Sequence, residues 1–243
     1  MNAIEHNEFT GAVKDWGKKL KRPKAILCVS AHWYVEGLGV LDSARPKTIH
    51  DFFGFPEELY KISYPAPGHP ELARKTGELL RSDGAQVTGD WGLDHGTWSV
   101  LLHLFPEAIV PVYQVSIDIC RSSREHFELA KKLKPLRDEG VLIIGSGNIV
   151  HNLLRLRARN AAPYSWAVEF DEAIKSALLE KDFDKIIDYQ QSFPKLAPYA
   201  FPTPDHYLPF VYAMAAAGED APMTFPYEGF EHGSISMRAV QWG

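Results

Sequence analysis

The stretch KAILCVSAHWYVEG, residues 24–37, decides the fold of this chain. Residues 24–30 form a nearly continuous apolar run, which is the pattern of a short β-strand covered on both faces. A buried strand normally ends in something small, but here Ser30 and Ala31 are followed by His32 and Trp33. We therefore predict a core strand with an imidazole at its carboxyl end.

Two more apolar runs, IVPVYQVSI (109–117) and VLIIGSG (141–147), have the same strand pattern, and the tail GSISMRAVQWG alternates enough to be a final strand. Apolar spacing, Pro starts and Gly stops predict helices over residues 8–20, 70–84, 123–140, 164–180, 183–191 and 206–217. Strands that alternate with helices predict an α/β sandwich whose central sheet is mixed and largely parallel. Without a repeat or composition break, we expect a single domain over residues 1–243.

The bulk composition narrows the class of protein. A formal charge of -5 argues against nucleic acid or an anionic membrane as partner. The apolar runs are too short to span a bilayer, and the first residues do not have the pattern of a signal peptide. We expect a cytoplasmic protein in which Cys28 and Cys120 are buried, reduced thiols. Monomer and homodimer both remain open.

Four histidines fall at junctions between predicted elements. His32 and His151 follow two of the strands, His95 lies in the Gly-rich loop DWGLDHGTW, and His206 follows PTPD at the first turn of a helix. Ligands of open α/β sheets gather at the carboxyl ends of strands, so these side chains are candidates for one cleft. Imidazole is a common metal ligand, and its pKa near 6.5 suits proton transfer.

A structural role is the alternative for each of these histidines, because most strand-end histidines only make hydrogen bonds and His206 could cap its helix. His50, His69, His103 and His126 have weaker claims, and His103 and His126 are taken as structural. No HExxH, C-x2-C or Gly-rich phosphate loop occurs in the sequence. The residues alone thus favour a histidine-lined cleft, with metal binding expected but not established.

Six stretches occur in order: SAHW, TIHDFFGFPEELY, YPAPGHPELA, GLDHGTWSVL, GSGNIVHNL and PTPDHYLP. Together, over about residues 25–240, they resemble the class III extradiol ring-cleaving dioxygenases, in particular the DOPA 4,5-dioxygenase branch. The resemblance implies that His32 and His206 are metal ligands, that His151 is the acid/base and that His95 lines the substrate pocket. It also implies Fe(II) as the working metal, with Zn(II) able to occupy the site.

The reaction implied by the resemblance opens the ring of a single-ring catechol, such as DOPA or caffeate, with O2 and gives a semialdehyde. Trp33, Asn148 and Tyr207 are the predicted substrate contacts. Other aromatics that could line a planar pocket are Tyr34, Phe52, Phe53 and Trp98. The expected partners are therefore a small catechol and O2.

The sequence departs from the family pattern at its start. Members begin with an additional strand and a GHGSP-like turn that carries the third metal ligand, whereas this sequence begins at the following Met1. Either the start lies at an internal methionine of a longer protein, or the protein is truncated with an impaired metal site. His6 is the candidate substitute ligand, although an exposed position at the start of the first helix is the simpler expectation.

Two other functions stay open. One is a zinc-dependent hydrolase or isomerase on the same scaffold, and the other is a non-catalytic homologue that binds small aromatics. Consumption of O2 would separate the dioxygenase from the hydrolase or isomerase, and a stably folded protein without metal would support the binding homologue.

Overall fold

The computed structural model describes residues 2–243. Its strands are Ala25–Val35 (β1), Gly39–Leu41 (β2), Gln86–Thr88 (β3), Val112–Asp118 (β4), Val141–Ser146 (β5), Met223–Tyr227 (β6), Phe230–Glu231 (β7), Ile235–Ser236 (β8) and Ala239–Trp242 (β9). Its α-helices are Glu8–Lys19 (α1), Glu57–Tyr60 (α2), Pro70–Leu79 (α3), His95–Leu104 (α4), Ser123–Lys131 (α5), Lys134–Asp138 (α6), Ser165–Glu180 (α7), Phe183–Ile187 (α8), Tyr189–Ser192 (α9), Ala197–Ala200 (α10) and Leu208–Ala217 (α11).

The central sheet has five strands in the order β3-β2-β4-β1-β5. β1 runs parallel to both β4 and β5, β2 runs parallel to β3, and the β2–β4 pair alone is antiparallel within this sheet. The predicted α/β architecture with a mixed, largely parallel sheet is confirmed.

Each face of β1 is covered, as its unbroken apolar run predicted. Ala25, Leu27 and Val29 belong to one core cluster, whereas Ile26 belongs to a second, because successive side chains of a strand point to opposite faces. All four side chains are fully buried. Helices on both sides of the sheet therefore fix β1 at the centre of the molecule.

The strand predicted over residues 24–30 is longer in the structure, where β1 extends to Val35. His32 consequently lies inside the strand and not at its end. The pairing with β4 shifts register between Val29 and Tyr34, and the pairing with β5 stops at Ser30. His32 therefore belongs to a segment in which the regular ladder is interrupted.

Several predicted helices end earlier than expected. The helix predicted over 70–84 ends at Leu79 and gives way to a 3-10 turn, and the one over 123–140 divides into α5 and α6 just before Pro135. The helix over 183–191 is likewise two short helices, and α11 begins at Leu208 after a 3-10 turn, Pro204–His206. β2, β3 and α4 were not predicted.

The C-terminal tail forms small antiparallel ribbons, β6–β9 and β7–β8, outside the central sheet. Among residues 2–243, β5 pairs with β1 alone, and its other edge borders a groove of about 960 Å³ between α1, α11 and β9. The expectation about the family's first strand stays a prediction.

The two cysteines differ in exposure. Cys28 is buried in β1, as predicted, but Cys120 is exposed, because it lies in the turn that follows β4. The expectation of a buried Cys120 is wrong. Within residues 2–243, a helix with the length and apolar character needed to span a bilayer is absent.

Candidate active site

Four imidazoles form one continuous cluster beside the central sheet. The rings of His95 and His32 have centroids 3.7 Å apart, those of His32 and His206 are 5.3 Å apart, and those of His206 and His151 stack at 3.4 Å. The structure thus brings together the four histidines that the sequence placed at junctions of elements.

A buried carboxylate, Asp94, holds His95 next to β1. Asp94 is the N-cap of α4, and its side chain accepts a hydrogen bond from the Thr97 backbone N–H at 3.0 Å. The same carboxylate accepts from Ser30 Oγ on β1 and from Gln114 Nε2 on β4, both at 2.7 Å. Since Asp94 is fully buried, these bonds tie the first residue of α4, His95, to the two central strands.

Asn148 orients His206. Its Nδ2 donates to the Ser236 carbonyl at 2.8 Å, so Oδ1 is the atom that faces His206 Nδ1 at 3.1 Å. An amide oxygen only accepts, so the proton of His206 lies on Nδ1 and a lone pair remains on Nε2. The Asn148 backbone N–H also donates to the His206 carbonyl at 2.8 Å. His206 thus presents one free nitrogen to the cluster.

Burial and mutual repulsion keep His32, His151 and His206 neutral at pH 7. Burial lowers the pKa of His151 to about 4, with a further contribution from His32. The pKa of His206 lies well below its usual value because of burial and then repulsion by the other three rings. Burial and repulsion by His95 also lower the pKa of His32. Neutral imidazoles that share one site carry lone pairs suited to a divalent cation, so this donor set fits a metal.

A carboxylate that the sequence did not single out, Asp51, completes the cluster. Its Oδ2 lies 2.8 Å from Nδ1 of His95 and 3.5 Å from Nδ1 of His32. Burial would raise the pKa of Asp51, but hydrogen bonds from the His95 ring and backbone N–H outweigh it and the pKa lies below its usual value. Ligand atoms of His32, Asp51 and His95 all lie within 4.8 Å of one another and could hold a metal ion. The sequence signal for Asp51 was its place in TIHDFFGF, directly after His50.

The structure does not bring His6 to the cluster. His6 is exposed, and it lies close enough to His103 to lower the pKa of that imidazole after the larger effect of burial. The expectation of an exposed position at the start of the first helix agrees with this placement.

Two of the predicted substrate contacts are core residues instead. Trp33 is 5% exposed and stacks on Trp91, because it points to the face of β1 opposite its neighbour His32. Tyr207 is fully buried, and its hydroxyl donates to the Ile186 carbonyl. Asn148 lies in the cluster, where it binds His206.

The remaining aromatics and histidines have ordinary environments. Trp98 is fully buried and donates to the Ile49 carbonyl, whereas Phe53 is 92% exposed. His69 is the N-cap of α3, and His126 is fully buried between Tyr212 and the Asp118 carbonyl. Phe52 is the aromatic that contacts the cluster, edge-to-face against His95 with centroids 5.3 Å apart.

Comparison with known proteins places this geometry in a family. Residues 4–240 match the family described as the catalytic LigB subunit of aromatic ring-opening dioxygenase. A 4,5-DOPA dioxygenase extradiol of Escherichia coli K12 is 42% identical over all of this chain and 91% of its own length. One of Beta vulgaris is 38% identical over 95% of this chain and 87% of its own.

The fold agrees with these sequence matches. A crystal structure of an uncharacterised Escherichia coli K12 protein superimposes with a TM-score of 0.85 at 38% identity, covering 99% of this chain and 94% of that one. The family match spans nearly the whole chain, and the histidine cluster lies within it. This chain belongs to the LigB family of extradiol aromatic ring-opening dioxygenases.

Proposed function

We propose that this chain cleaves the ring of a single-ring catechol with O2, next to the two hydroxyls, and releases a semialdehyde. The observation that carries the proposal is the cluster of His32, His95, His151 and His206 within a chain of this family. Two relatives named 4,5-DOPA dioxygenase extradiol make DOPA the first substrate to test.

His32 and His206 are the proposed protein ligands of a divalent metal. Both imidazoles have a lowered pKa and are neutral at pH 7, which is the ligating form, and Asn148 leaves Nε2 of His206 free. The Asp51 carboxylate lies next to His32, but both of its oxygens contact His95, so we assign it to that ring and not to the metal. Fe(II) held by these residues would supply the redox chemistry that a reaction with O2 needs, and Zn(II) would not, because it has no redox chemistry.

His151 is the proposed base that takes a proton from a catechol hydroxyl. Burial lowers its pKa to about 4, so the ring is neutral at pH 7 and carries a free lone pair. Its ring stacks on His206 with an interplanar angle of 8°, which places the base directly beside a proposed ligand. The same imidazole would return the proton as the ring opens.

The catechol and O2 are the proposed partners, with action in the cytoplasm. The net charge of -5 disfavours nucleic acid and anionic membranes.

The test is O2 uptake after anaerobic reconstitution of this chain with Fe(II), with DOPA and caffeate as substrates. We expect a yellow product formed in step with the loss of O2. A matched sample loaded with Zn(II) should take up no O2, and His151→Gln should lower kcat by about 10²–10⁴-fold. A fully metal-loaded protein that consumes no O2 with either catechol would contradict the proposal. That result would favour one of the two alternatives, a hydrolase or a binding homologue.

A further inference from the structure

Asp51 contacts His95 through both of its carboxylate oxygens. Oδ1 accepts a hydrogen bond from the His95 backbone N–H at 2.8 Å, and Oδ2 lies 2.8 Å from ring Nδ1. His32 Nδ1 is 3.5 Å from the same Oδ2, which is long for a hydrogen bond. The Asp51 side chain is only 17% exposed, so little water competes for these contacts. The carboxylate therefore binds one residue at two points.

This two-point contact determines which nitrogen of His95 carries the proton. A carboxylate that is ionised at neutral pH has acceptors only, so a bond to Oδ2 requires hydrogen on Nδ1. A neutral imidazole protonated at Nδ1 has its lone pair at Nε2. His95 is in the cluster, 3.7 Å from the His32 ring and edge-on to Phe52. Its lone pair is thus available to a group bound there.

We propose that Asp51 is the positioning residue of His95, fixing the Nδ1–H tautomer so that Nε2 accepts a hydrogen bond from a catechol hydroxyl. The inference rests on the proposed function for the identity of the bound hydroxyl, and on the geometry alone for the tautomer. A carboxylate bonded to one ring nitrogen of a histidine also makes the other nitrogen a better acceptor.

Asp51→Asn tests the proposal, because an amide has one oxygen that accepts and one NH2 group that donates, whereas both carboxylate oxygens of Asp51 accept. The His95 backbone N–H is a donor, so the amide oxygen must face it, and the NH2 group is then directed at ring Nδ1. The amide donates there, which forces hydrogen onto Nε2. The variant should therefore convert His95 from the Nδ1–H to the Nε2–H tautomer without a large change in shape.

The readout is the ring-nitrogen shifts and long-range ¹H–¹⁵N couplings of the histidines in metal-free, ¹⁵N-labelled full-length protein. His95→Gln assigns the His95 signals by their loss. Asp15→Asn is the matched control, because Asp15 is exposed and pairs only with Lys18 on the same helix. We expect Nδ1–H for His95 in the wild type and in the control, and Nε2–H in Asp51→Asn.

In the Fe(II) enzyme we expect Asp51→Asn to lower kcat by about 10²–10⁴-fold, the range for a histidine held in the wrong tautomer. Cobalt affinity should stay within about 100-fold of the wild type, since loss of a partner behind a ligand costs about 10–100-fold. Asp51→Asn and His95→Gln should not add, because each disables the same unit.

An Nε2–H tautomer of His95 in the wild-type protein would overturn the proposal, even if Asp51→Asn does not fold. A loss of cobalt affinity beyond about 100-fold in Asp51→Asn would overturn it too, because that loss exceeds the cost of an outer partner and identifies a direct ligand. If the tautomer changes as expected but no variant or wild-type protein consumes O2, the proposed function fails while the role of Asp51 in orienting His95 stands.

Discussion

Gly147→Ala should displace His206 from the cluster. A Cβ on residue 147 would lie 2.2 Å from the His206 carbonyl oxygen and 3.0 Å from its carbon. Carbon and oxygen atoms without a bond between them stay about 3.3 Å apart, so one backbone segment must move by about 1 Å. The His206 carbonyl is held by the Asn148 N–H at 2.8 Å, so the 3-10 turn that carries His206 moves with it.

The expected destabilisation is about 2 kcal/mol, which is typical of overpacking in a rigid region. For a chain of this size that is a fall in melting temperature of about 4–8 °C in a thermal unfolding scan. If His206 is a ligand, cobalt affinity measured by competition with a chelator should fall by about 10–100-fold. Gly11→Ala is the control: a Cβ there meets nothing within 4 Å, and α1 should gain up to about 1 kcal/mol.

The reasoning would be refuted by a Gly147→Ala protein that melts within about 1 °C of the wild type and binds cobalt equally well. Loss of stability with unchanged cobalt affinity would retain the steric argument and remove His206 from the proposed ligands.

Three further predictions concern the rest of the molecule. Burial lowers the pKa of His126 to about 4, so between pH 6.5 and 4 the unfolded chain takes up a proton there that the folded chain does not. The free energy of unfolding should fall with falling pH in that window, by up to about 3 kcal/mol from this residue, and His126→Gln should flatten the fall in denaturant titrations. Arg238 and Asp171 form an ion pair with both side chains 2% exposed, so Arg238→Met should cost about 3–5 kcal/mol of stability by leaving the carboxylate unpaired, as measured by urea unfolding. A thiol reagent should modify Cys120 alone in the native protein and both cysteines in denaturant. Cys28 is protected because it is buried and that burial raises its pKa. Rapid labelling of both thiols in the native protein would contradict the core packing of β1.

Local signals in the sequence predicted the central architecture. The apolar runs over residues 24–30, 109–117 and 141–147 predicted all three adjacent strands, β1, β4 and β5. β1 and β4 are buried as that pattern indicates, whereas β5 is only half-buried beyond Val141. The division of the helix over 123–140 near Pro135 was readable in principle, since proline has no N–H to continue the helical hydrogen bonds and is tolerated only in the first turn of a helix, where α6 places it. β2 and β3, with three residues each, are too short for any periodicity to reveal.

The one sequence signal for Asp51, its place directly after His50 in TIHDFFGF, does not show what this residue binds. Asp51 lies 44 residues before His95 in the chain, in a stretch rich in proline and glycine, and nothing else in its local pattern indicates that partner. Trp33 and Tyr207, in contrast, were predicted as substrate contacts because of their sequence neighbours, and both are buried. Each is adjacent in sequence to a cluster histidine, but the alternation of a strand sends Trp33 to the opposite face and Tyr207 packs into the core. Adjacency to a site residue therefore predicts burial here, not substrate contact.

The position of His32 shows why the strand-end rule found the site although the strand does not end there. Between Val29 and Tyr34, five steps along β1 correspond to only two along β4, and the pairing with β5 has already stopped at Ser30. The ladder is thus interrupted on both sides of β1 where His32 lies, so its neighbours there are not paired strands but α4 and the turn that carries His206. A side chain of a central strand can reach a cleft where the neighbouring strands no longer pair with that strand. In this sequence the apolar run changes to Ser30-Ala31-His32 at that point.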